Sequence, residues 1–301
     1  MRSENRQHER QSFFKYMPLS TAKIVLKNST LRWSSPSLLN DPFDVPRELF
    51  PEVSEQQVST AFAQKLIHEF QNPRDNLDEL EPGIIEILQG MRQSFPLGIS
   101  SEMNQHLVNM MGAAVQTTDA LSALQELKEH WLNTLDTKRV ICVSEEPDII
   151  PMWNHYADGY NGLVLEFACL DELDSVWLLA DPINYTDTKP LIYSAEGLAE
   201  LASRNIRWAT KYLTEELMRI KTTNWAYEKE WRVSTIKKSH EDGLYSDYGF
   251  HINELKSVIL GHQFDNSELP TIMALTQKYP NATIKRAKLT AQRELVFEVI
   301  S

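Results

Sequence analysis

The segment Asn224–Val233, NWAYEKEWRV, concentrates side chains that can do chemistry. Alternate residues of a strand point to opposite faces, so a strand over EKEWRVSTI would carry Glu228, Glu230 and Arg232 on one face and Trp231 on the other. Two neighbouring carboxylates held by a guanidinium can serve acid–base catalysis, metal binding or recognition of sugar hydroxyls. The same spacing also fits a solvated strand face with an ordinary ion pair, so spacing alone leaves both interpretations open.

A second cluster, aromatic in character, lies at Pro151–Gly162, PMWNHYADGYNG, after a strand-like ICVS. Trp153 and Tyr156 are three residues apart, so one helical turn would give them a common face that could stack on a flat heterocycle. A turn packed into the core, with His155 satisfied by a hydrogen bond, is the simpler interpretation for the histidine. The aromatic pair is therefore the stronger candidate for a binding role.

Further polar side chains occur near the start of the sequence. They are Lys15 and Tyr16 in the strand-like FFKYM, Ser34 and Ser35 at the end of a second predicted strand, and Asn40, Asp41 and Asp44 in the turn-rich PSLLNDPFDVP. Asn-Asp-Pro is a strong chain-reversal signal, so the acidic and amide residues can be explained by turn formation as well as by function.

The composition limits the classes of protein to consider. The 301 residues carry 30 Lys+Arg against 42 Asp+Glu, a net charge of -12, which argues against a protein that coats duplex nucleic acid through charge alone. Two cysteines, Cys142 and Cys169, fit neither a disulfide framework nor a structural zinc site. No apolar run reaches the roughly 20 residues of a membrane span, and the polar start MRSENRQHER predicts no leader, so we expect a cytoplasmic protein.

The order of predicted elements indicates a single α+β domain over residues 1–301, with a mostly antiparallel sheet. Helical periodicity fills residues 53–137, which we interpret as a helical insertion or subdomain and as the place where partner specificity would reside. A stripe of apolar residues over about 194–221 predicts one long helix. Strand patterns then resume on both sides of these helices.

The motifs in their order resemble a bacterial and phage family known as domain of unknown function 2971. The resemblance rests on FFKYM, LRWSSPSLLNDPFD, VICVSEEPDIIPMWNHYADGYNGLVLEF, NWAYEKEWRV and LKSVILG. It covers most of the chain outside the helical block. It does not by itself imply an activity.

A more distant resemblance is to the ADP-ribosyltransferase superfamily, which includes DNA-modifying toxins and RNA 2'-phosphotransferases. This resemblance implies a split antiparallel β-sheet core that binds NAD as a substrate, and an acceptor that is a nucleic acid or a protein. It also implies a toxin or anti-phage defence effector, with an antitoxin or defence partner. No metal and no membrane association are implied.

Carried onto this sequence, the resemblance makes Glu230 the catalytic carboxylate and Glu228 the group that orients the acceptor. It implies NAD contacts from Lys15, Tyr16, Ser144, Trp153 or Tyr156, and Arg232. Ser34 and Ser35 are an alternative match to the serine motif, and Asn40, Asp41, Asp44 and His155 are assigned to substrate binding or structure. The first motif lacks the usual His or Arg, and the second has CVSE instead of a Ser-Thr-Ser run.

Two other hypotheses fit the same residues. A metal-dependent nuclease would use Glu228 and Glu230, with Asp41 or Asp44, as Mg²⁺ ligands. A non-catalytic sensor or binding module would use NDPFD and EKEWR as ion pairs that define the fold.

Overall fold

The computed structural model describes residues 2–41, 43–47, 53–74, 76–115 and 120–300. Contacts between Cα atoms divide the chain into two compact units. The first, here called the sheet unit, comprises Met1–Asn40, Thr137–Thr186 and Arg219–Ser301. The second, the helical unit, comprises Asp41–Asp136 and Asp187–Met218.

The described part of the sheet unit contains twelve strands and three α-helices. Its strands are β1 Ser12–Met17, β2 Thr30–Ser34, β3 Lys138–Ser144, β4 Leu163–Ala168, β5 Asp181–Pro182, β6 Asn184–Tyr185, β7 Ile220–Lys221, β8 Glu230–Ile236, β9 Tyr245–Gly249, β10 Leu255–Leu260, β11 Thr283–Leu289 and β12 Leu295–Val299. Its helices, numbered along the whole chain, are α1 Leu19–Asn28, α6 Ile150–Tyr156 and α9 Leu269–Thr276.

Ten of these strands form one sheet within the described residues, in the order β12-β11-β10-β4-β1-β3-β2-β9. Strand β8 pairs with β3 and β5 pairs with β8, away from that path. Every pairing within this sheet is antiparallel except that of β10 with β11. The prediction of an α+β protein with a mostly antiparallel sheet is therefore confirmed.

Alternation along the central strands gives the sheet an apolar layer on each face. On β4, Leu163, Leu165 and Phe167 belong to the larger core, whereas Val164 belongs to a smaller one with Trp153. This strand is buried on both faces, which explains why its sequence, LVLEFA, lacks a polar–apolar alternation.

Two glycines allow the start of β4 and the end of β10 to approach neighbouring backbone closely. A Cβ on Gly162 would collide with the carbonyl oxygen of Met17, and a Cβ on Gly261 would collide with that of Tyr160. The Gly261 N–H donates a hydrogen bond to the Gly162 carbonyl at 3.0 Å. Only glycine fits at these two contacts.

The helical unit contains α2 Glu55–Gln71, α3 Pro82–Ser94, α4 Ser101–Val115, α5 Ala120–Thr137, α7 Ala195–Ser203 and α8 Ile206–Lys211. The four helices α2 to α5 occupy the block predicted to be helical. Ser54 and Gln57 form a capping box at the start of α2, which satisfies backbone N–H groups that the helix leaves unpaired. No helix in the described ranges is long and apolar enough to cross a membrane.

The single long helix predicted over 194–221 is wrong. Helix α7 ends at Ser203, and Asn205 starts α8 by accepting a hydrogen bond from the Trp208 N–H at 2.9 Å. After α8 the chain forms a π-helical turn over Tyr212–Glu216 and then the short strand β7. A capping asparagine within an apolar stripe therefore ended one helix and began another.

Candidate functional site

Strands β3 and β8 bring polar side chains to one face of the sheet. Their antiparallel register sets Ser144 opposite Glu230 and Cys142 opposite Arg232. The intervening residues, Ile141, Val143 and Val233 among them, belong to the larger apolar core. Because β-strand side chains alternate, the polar residues occupy the opposite face from that core.

Glu228 reaches the same place without belonging to the strand. A 3₁₀ helix spans Thr223–Glu228, and Lys229 follows in the left-handed region with φ 45°. Strand β8 begins only at Glu230. The prediction that Glu228, Glu230 and Arg232 share a strand face is therefore wrong for Glu228, because the chain turns at Lys229.

The two carboxylates meet at the ammonium group of Lys221. Its Nζ donates hydrogen bonds to Glu228 Oε2 at 2.6 Å and to Glu230 Oε2 at 2.9 Å. Arg232 donates from Nε to Glu230 Oε1 at 2.6 Å and from Nη2 to Glu230 Oε2 at 3.2 Å. The exposed fractions are 3% for Glu228, 5% for Glu230, 5% for Arg232 and 6% for Lys221. These four residues, called the ion network below, combine two negative and two positive groups, and they exclude a solvated strand face.

Ion pairing favours the charged forms of Glu230 and Lys221 despite their burial. Desolvation alone would raise the pKa of Glu230, but the guanidinium of Arg232 and the ammonium of Lys221 lower it below its usual range. Desolvation likewise opposes the charged form of Lys221, but Glu230 and Glu228 raise its pKa above the ordinary value. Buried charges persist only where such pairing and hydrogen bonding offset desolvation.

Tyrosines and a cysteine complete the surroundings. The Tyr156 hydroxyl donates to Glu228 Oε1 at 2.7 Å, and the Tyr185 hydroxyl accepts a hydrogen bond from the Glu230 N–H at 2.8 Å. Cys142 lies beside Glu230, and burial, followed by the charge of Glu230, raises the pKa of its thiol to about 12. The thiol is therefore protonated near neutral pH and is not an activated nucleophile.

Ser144, the serine of the CVSE motif, contacts the segment that carries Glu228 and Glu230. Its hydroxyl donates to the Glu228 carbonyl oxygen at 2.7 Å, and its side chain is fully buried. It faces Glu230 across the β3–β8 pair, while the same residue pairs with Phe14 of β1. The end of β3, the start of β8 and the middle of β1 thus adjoin at Ser144.

Several residues that were predicted to contact NAD make contacts within the protein instead. Trp153 has no exposed surface and stacks on Tyr160 at a centroid distance of 5.6 Å, so a ligand cannot stack on it without displacing the core. Tyr16 is also buried and donates its hydroxyl to the Glu146 carbonyl at 2.8 Å. Lys15 Nζ donates to the Cys142 carbonyl at 2.6 Å. These positions correct the expectation that Trp153 and Tyr16 face a ligand.

The remaining predicted residues of the sheet unit have structural or peripheral positions. Ser34 pairs with Val140 within the sheet, and Ser35 is a buried N-cap of a short 3₁₀ helix. His155 is exposed beside Tyr156, with their ring centroids 6.4 Å apart. Asn40 is exposed too, and its side chain lies beside the Tyr156 hydroxyl.

Asp41 and Asp44 belong to the helical unit, and both are buried. Asp41 Oδ1 accepts a hydrogen bond from the Phe43 N–H at 2.9 Å, the local pattern expected of a turn. Pro42, the third residue of the predicted Asn-Asp-Pro reversal, lies outside the described residues. The turn interpretation of Asp41 therefore has direct support.

Two residues of the cluster were missed by the sequence analysis. Lys221 was assigned to the end of a long helix, and Tyr185 carried no signal beyond a strand-like PINYT. The short parallel pair of β6 and β7 sets Tyr185 beside Lys221. A lysine that directly follows an apolar stripe was the one available indication of a buried cation.

A metal ion would have to compete with Lys221 for these carboxylates. Its ammonium group lies between Glu228 and Glu230, where a bound cation would otherwise neutralise them. Across the portion of the chain that the structure describes, no group of three or more His, Cys, Asp or Glu side chains could hold a metal ion.

Comparison with known proteins gives one match. No curated protein and no solved structure matches the chain. Residues 152–233 match the family model described as "Protein of unknown function (DUF2971)". That stretch contains Tyr156 and Tyr185 and all four residues of the ion network. In the segment that carries this network, the chain is therefore similar to the DUF2971 family, as its motifs predicted.

Proposed function

We propose that the chain is an ADP-ribosyltransferase-like enzyme that cleaves NAD and transfers ADP-ribose to a nucleic-acid or protein acceptor. The observation that supports this most is the junction at Ser144, where β1, β3 and β8 adjoin and both Glu228 and Glu230 contact the same lysine. Three motif-bearing strands side by side are what the ADP-ribosyltransferase resemblance implies.

The chemistry of that reaction suits paired carboxylates. Breaking the nicotinamide–ribose bond creates an oxocarbenium-like centre, which a nearby negative group stabilises electrostatically. Low solvent exposure strengthens that stabilisation, because water does not screen it. Lys221 and Arg232 hold Glu230 in a fixed position, so its orientation costs no reorganisation during the reaction.

Nicotinamide release from NAD tests the proposal. The protein is incubated with NAD, alone and with single-stranded nucleic acid or protein extracts, and is compared with Glu228→Gln and Glu230→Gln. We expect release by the unaltered protein and a loss of about 100-fold or more in each variant, the scale of removing an electrostatic or acid–base group. No release under any of these conditions would overturn the proposal.

Glu166→Gln is the matched control for these variants. Glu166 is also buried in the sheet unit, on β4. It accepts hydrogen bonds from Ser12 and Ser257 and forms ion pairs with Lys256 and Lys285. It lies outside the ion network. A loss of activity in Glu166→Gln as large as in Glu230→Gln would mean that the losses come from folding.

A second function is favoured by a different observation. Both Glu230 oxygens are engaged by Arg232 and Lys221, which is what a fold-defining ion pair in a non-catalytic binding module requires. In that case Glu230→Gln lowers the melting temperature, and the unaltered protein releases no nicotinamide. Nicotinamide release by the unaltered protein therefore separates the two functions.

A further inference from the structure

Tyr156 is the accessible member of the Tyr156–Glu228 pair. Its side chain is half-buried, whereas Glu228 behind it is 3% exposed. Tyr156 ends α6, and the 3₁₀ helix Thr223–Glu228 packs against α6. Anything that approaches Glu228 Oε1 along this contact meets the tyrosine hydroxyl first.

The Tyr156 hydroxyl can donate and accept a hydrogen bond at once. It donates to Glu228 Oε1 at 2.7 Å, and the side chain of Asn40 lies beside it. Since its one proton is directed at Glu228, the hydroxyl oxygen can accept a hydrogen bond from a further donor. Asn40 is exposed and therefore occupies the direction from which another proton donor can arrive.

The two carboxylates differ in the hydrogen-bond partners of their oxygens. Arg232 and Lys221 together occupy both oxygens of Glu230. Glu228 accepts a hydrogen bond from Lys221 at Oε2 and a hydrogen bond from the Tyr156 hydroxyl at Oε1. A proton can pass to Glu228 Oε1 along an existing hydrogen bond, while Oε2 keeps its hydrogen bond from Lys221.

From this geometry we propose that Tyr156 and Glu228 form a proton relay that deprotonates the acceptor nucleophile, with Asn40 marking the place where that acceptor donates its hydrogen bond. The inference rests on the proposed function. It makes the Tyr156 hydroxyl the group that touches the acceptor and Glu228 the final proton acceptor. Glu230, held by Arg232 and Lys221, keeps its role in stabilising positive charge.

The step balances within the groups named. The acceptor oxygen or nitrogen bonds to the ribose carbon of NAD while the bond from that carbon to nicotinamide breaks. The electron pair of the broken bond goes to the nicotinamide nitrogen, which loses its positive charge. The acceptor proton moves to Tyr156 Oη as the tyrosine proton moves to Glu228 Oε1, so no further reactant is required.

The electrostatics favour a concerted relay. Burial, and next the charge of Glu228, raise the pKa of Tyr156 above its ordinary value. A free tyrosinate beside Glu228 is therefore unfavourable, and the hydroxyl stays protonated before and after the transfer. If Tyr156 receives the acceptor proton at the same time as it gives its own proton to Glu228, no tyrosinate forms.

Tyr156→Phe tests the relay, with water as the acceptor and NAD as the substrate. We expect kcat for nicotinamide release to fall by about 100-fold, the scale of lost general-base catalysis, with KM for NAD changed less than about threefold. We also expect the acidic limb of the pH profile of kcat to flatten, because the proton no longer has a route to Glu228. A purely structural role of the hydroxyl would leave the shape of that profile unchanged.

Tyr248→Phe is the matched control. Tyr248 lies on β9 at the end of the strand path, and its hydroxyl donates to Glu241 Oε2 at 2.7 Å, the same length as the Tyr156–Glu228 bond. It should leave kcat within about twofold of the unaltered protein. If Tyr156→Phe behaves like Tyr248→Phe in an enzyme that releases nicotinamide, the relay is overturned and the proposed function survives.

A second measurement needs no activity. Ultraviolet titration of tyrosine at alkaline pH should show that Glu228→Gln lowers the pKa of Tyr156, which is identified by its loss in Glu228→Gln combined with Tyr156→Phe. If the pKa of Tyr156 is the same in Glu228→Gln as in the unaltered protein, the two side chains do not interact and the relay is overturned. If the titration shifts but the unaltered protein releases no nicotinamide, the proposed function fails and the relay fails with it.

Discussion

At the scale of single residues, the ammonium of Lys221 contacts Glu228 and Glu230, and all three side chains are nearly inaccessible to water. Without a cation, two buried carboxylates this close would repel each other and one would bind a proton. The ammonium of Lys221 offsets the repulsion between the two carboxylates, and Arg232 supplies the second positive charge. The network can therefore be buried at little net electrostatic cost.

Lys221→Met should destabilise the protein strongly. It removes the shared cation and leaves buried carboxylates without compensation, a change that typically costs about 3–5 kcal/mol. Urea denaturation followed by tryptophan fluorescence gives the free energy of unfolding. Lys256→Met is the control, because Lys256 pairs with Glu166 but is 53% exposed, and we expect a loss of about 1 kcal/mol or less. Equal losses in the two variants would contradict the role assigned to Lys221.

At the scale of elements, the turn at Lys229 sets the direction of both carboxylates. Its φ of 45° is uncommon for a residue with a Cβ, and its carbonyl accepts a hydrogen bond from the Glu145 N–H at 3.1 Å. Lys229 is the single residue between the end of the 3₁₀ helix and the start of β8. The strain is offset by the contacts that the turn permits at Lys221.

Lys229→Gly should therefore raise the free energy of unfolding by up to about 1 kcal/mol, since glycine adopts this conformation without a Cβ penalty. Lys229→Val should lower it, because a β-branched residue fits the left-handed region poorly. Thermal denaturation of the two variants measures the difference. Glu146→Gln corrects for the lost ion pair between Lys229 and Glu146, which is largely exposed. A less stable glycine variant would contradict the strain.

Asn205→Ala should destabilise the start of α8 by about 1 kcal/mol, the usual effect of removing an N-cap. The side chain also donates to the Asp78 carbonyl, so part of the loss comes from that contact. Asn224→Ala, at an exposed residue within a 3₁₀ helix, is a suitable comparison for an asparagine that does not begin a helix. Similar losses of stability in both variants would show that the N-cap hydrogen bond of Asn205 does not stabilise the protein.

Local patterns predicted most elements because each depends on a few neighbouring residues. FFKYM and ICVS lie in strands β1 and β3, and the block with helical periodicity over residues 53–137 contains α2 to α5. The start of β8 was misjudged because a left-handed lysine has no sequence signal. The break between α7 and α8 depends on Asn205, which could have been recognised as a cap.

At the scale of the whole chain, the α+β class followed from the sequence, but the pairing of strands did not. The register that sets Ser144 opposite Glu230 joins residues far apart along the chain, and no local pattern encodes it. Lys221 was missed for the same reason, since it becomes part of the site only through the β6–β7 pair. The site was thus predictable in its carboxylates and Tyr156, and not in the cation that joins them.

Acid should weaken both units through carboxyl groups with lowered pKa values. In the helical unit, Arg74 and Lys65 outweigh the opposing effect of burial and bring the pKa of Glu69 from 4.5 to about 2. In the sheet unit, Arg232 and Lys221 lower that of Glu230. A lowered pKa stabilises the fold above the ordinary value, and this contribution is lost as the pH falls towards the folded value.

We therefore expect the free energy of unfolding to be roughly constant from pH 7 to about 5 and to decline below about pH 5 as these groups take up protons. Urea denaturation at several pH values measures the decline. Glu69→Gln and Glu230→Gln should each be less stable at pH 7 and show a shallower decline, since one titrating group is gone. Parallel curves for the variants and the unaltered protein would contradict the assignment of the titration to these residues.

The close backbone approach at Gly162 and Gly261 bears on how distant relatives can be recognised. A side chain at either position would collide with a neighbouring carbonyl, so substitutions there require the backbone to shift. Gly162 lies inside the segment that matches the family model, and Gly261 lies beyond it. An alignment that extends past residue 233 can therefore be judged by whether it retains a glycine after LKSVIL, a criterion that is independent of the charged residues.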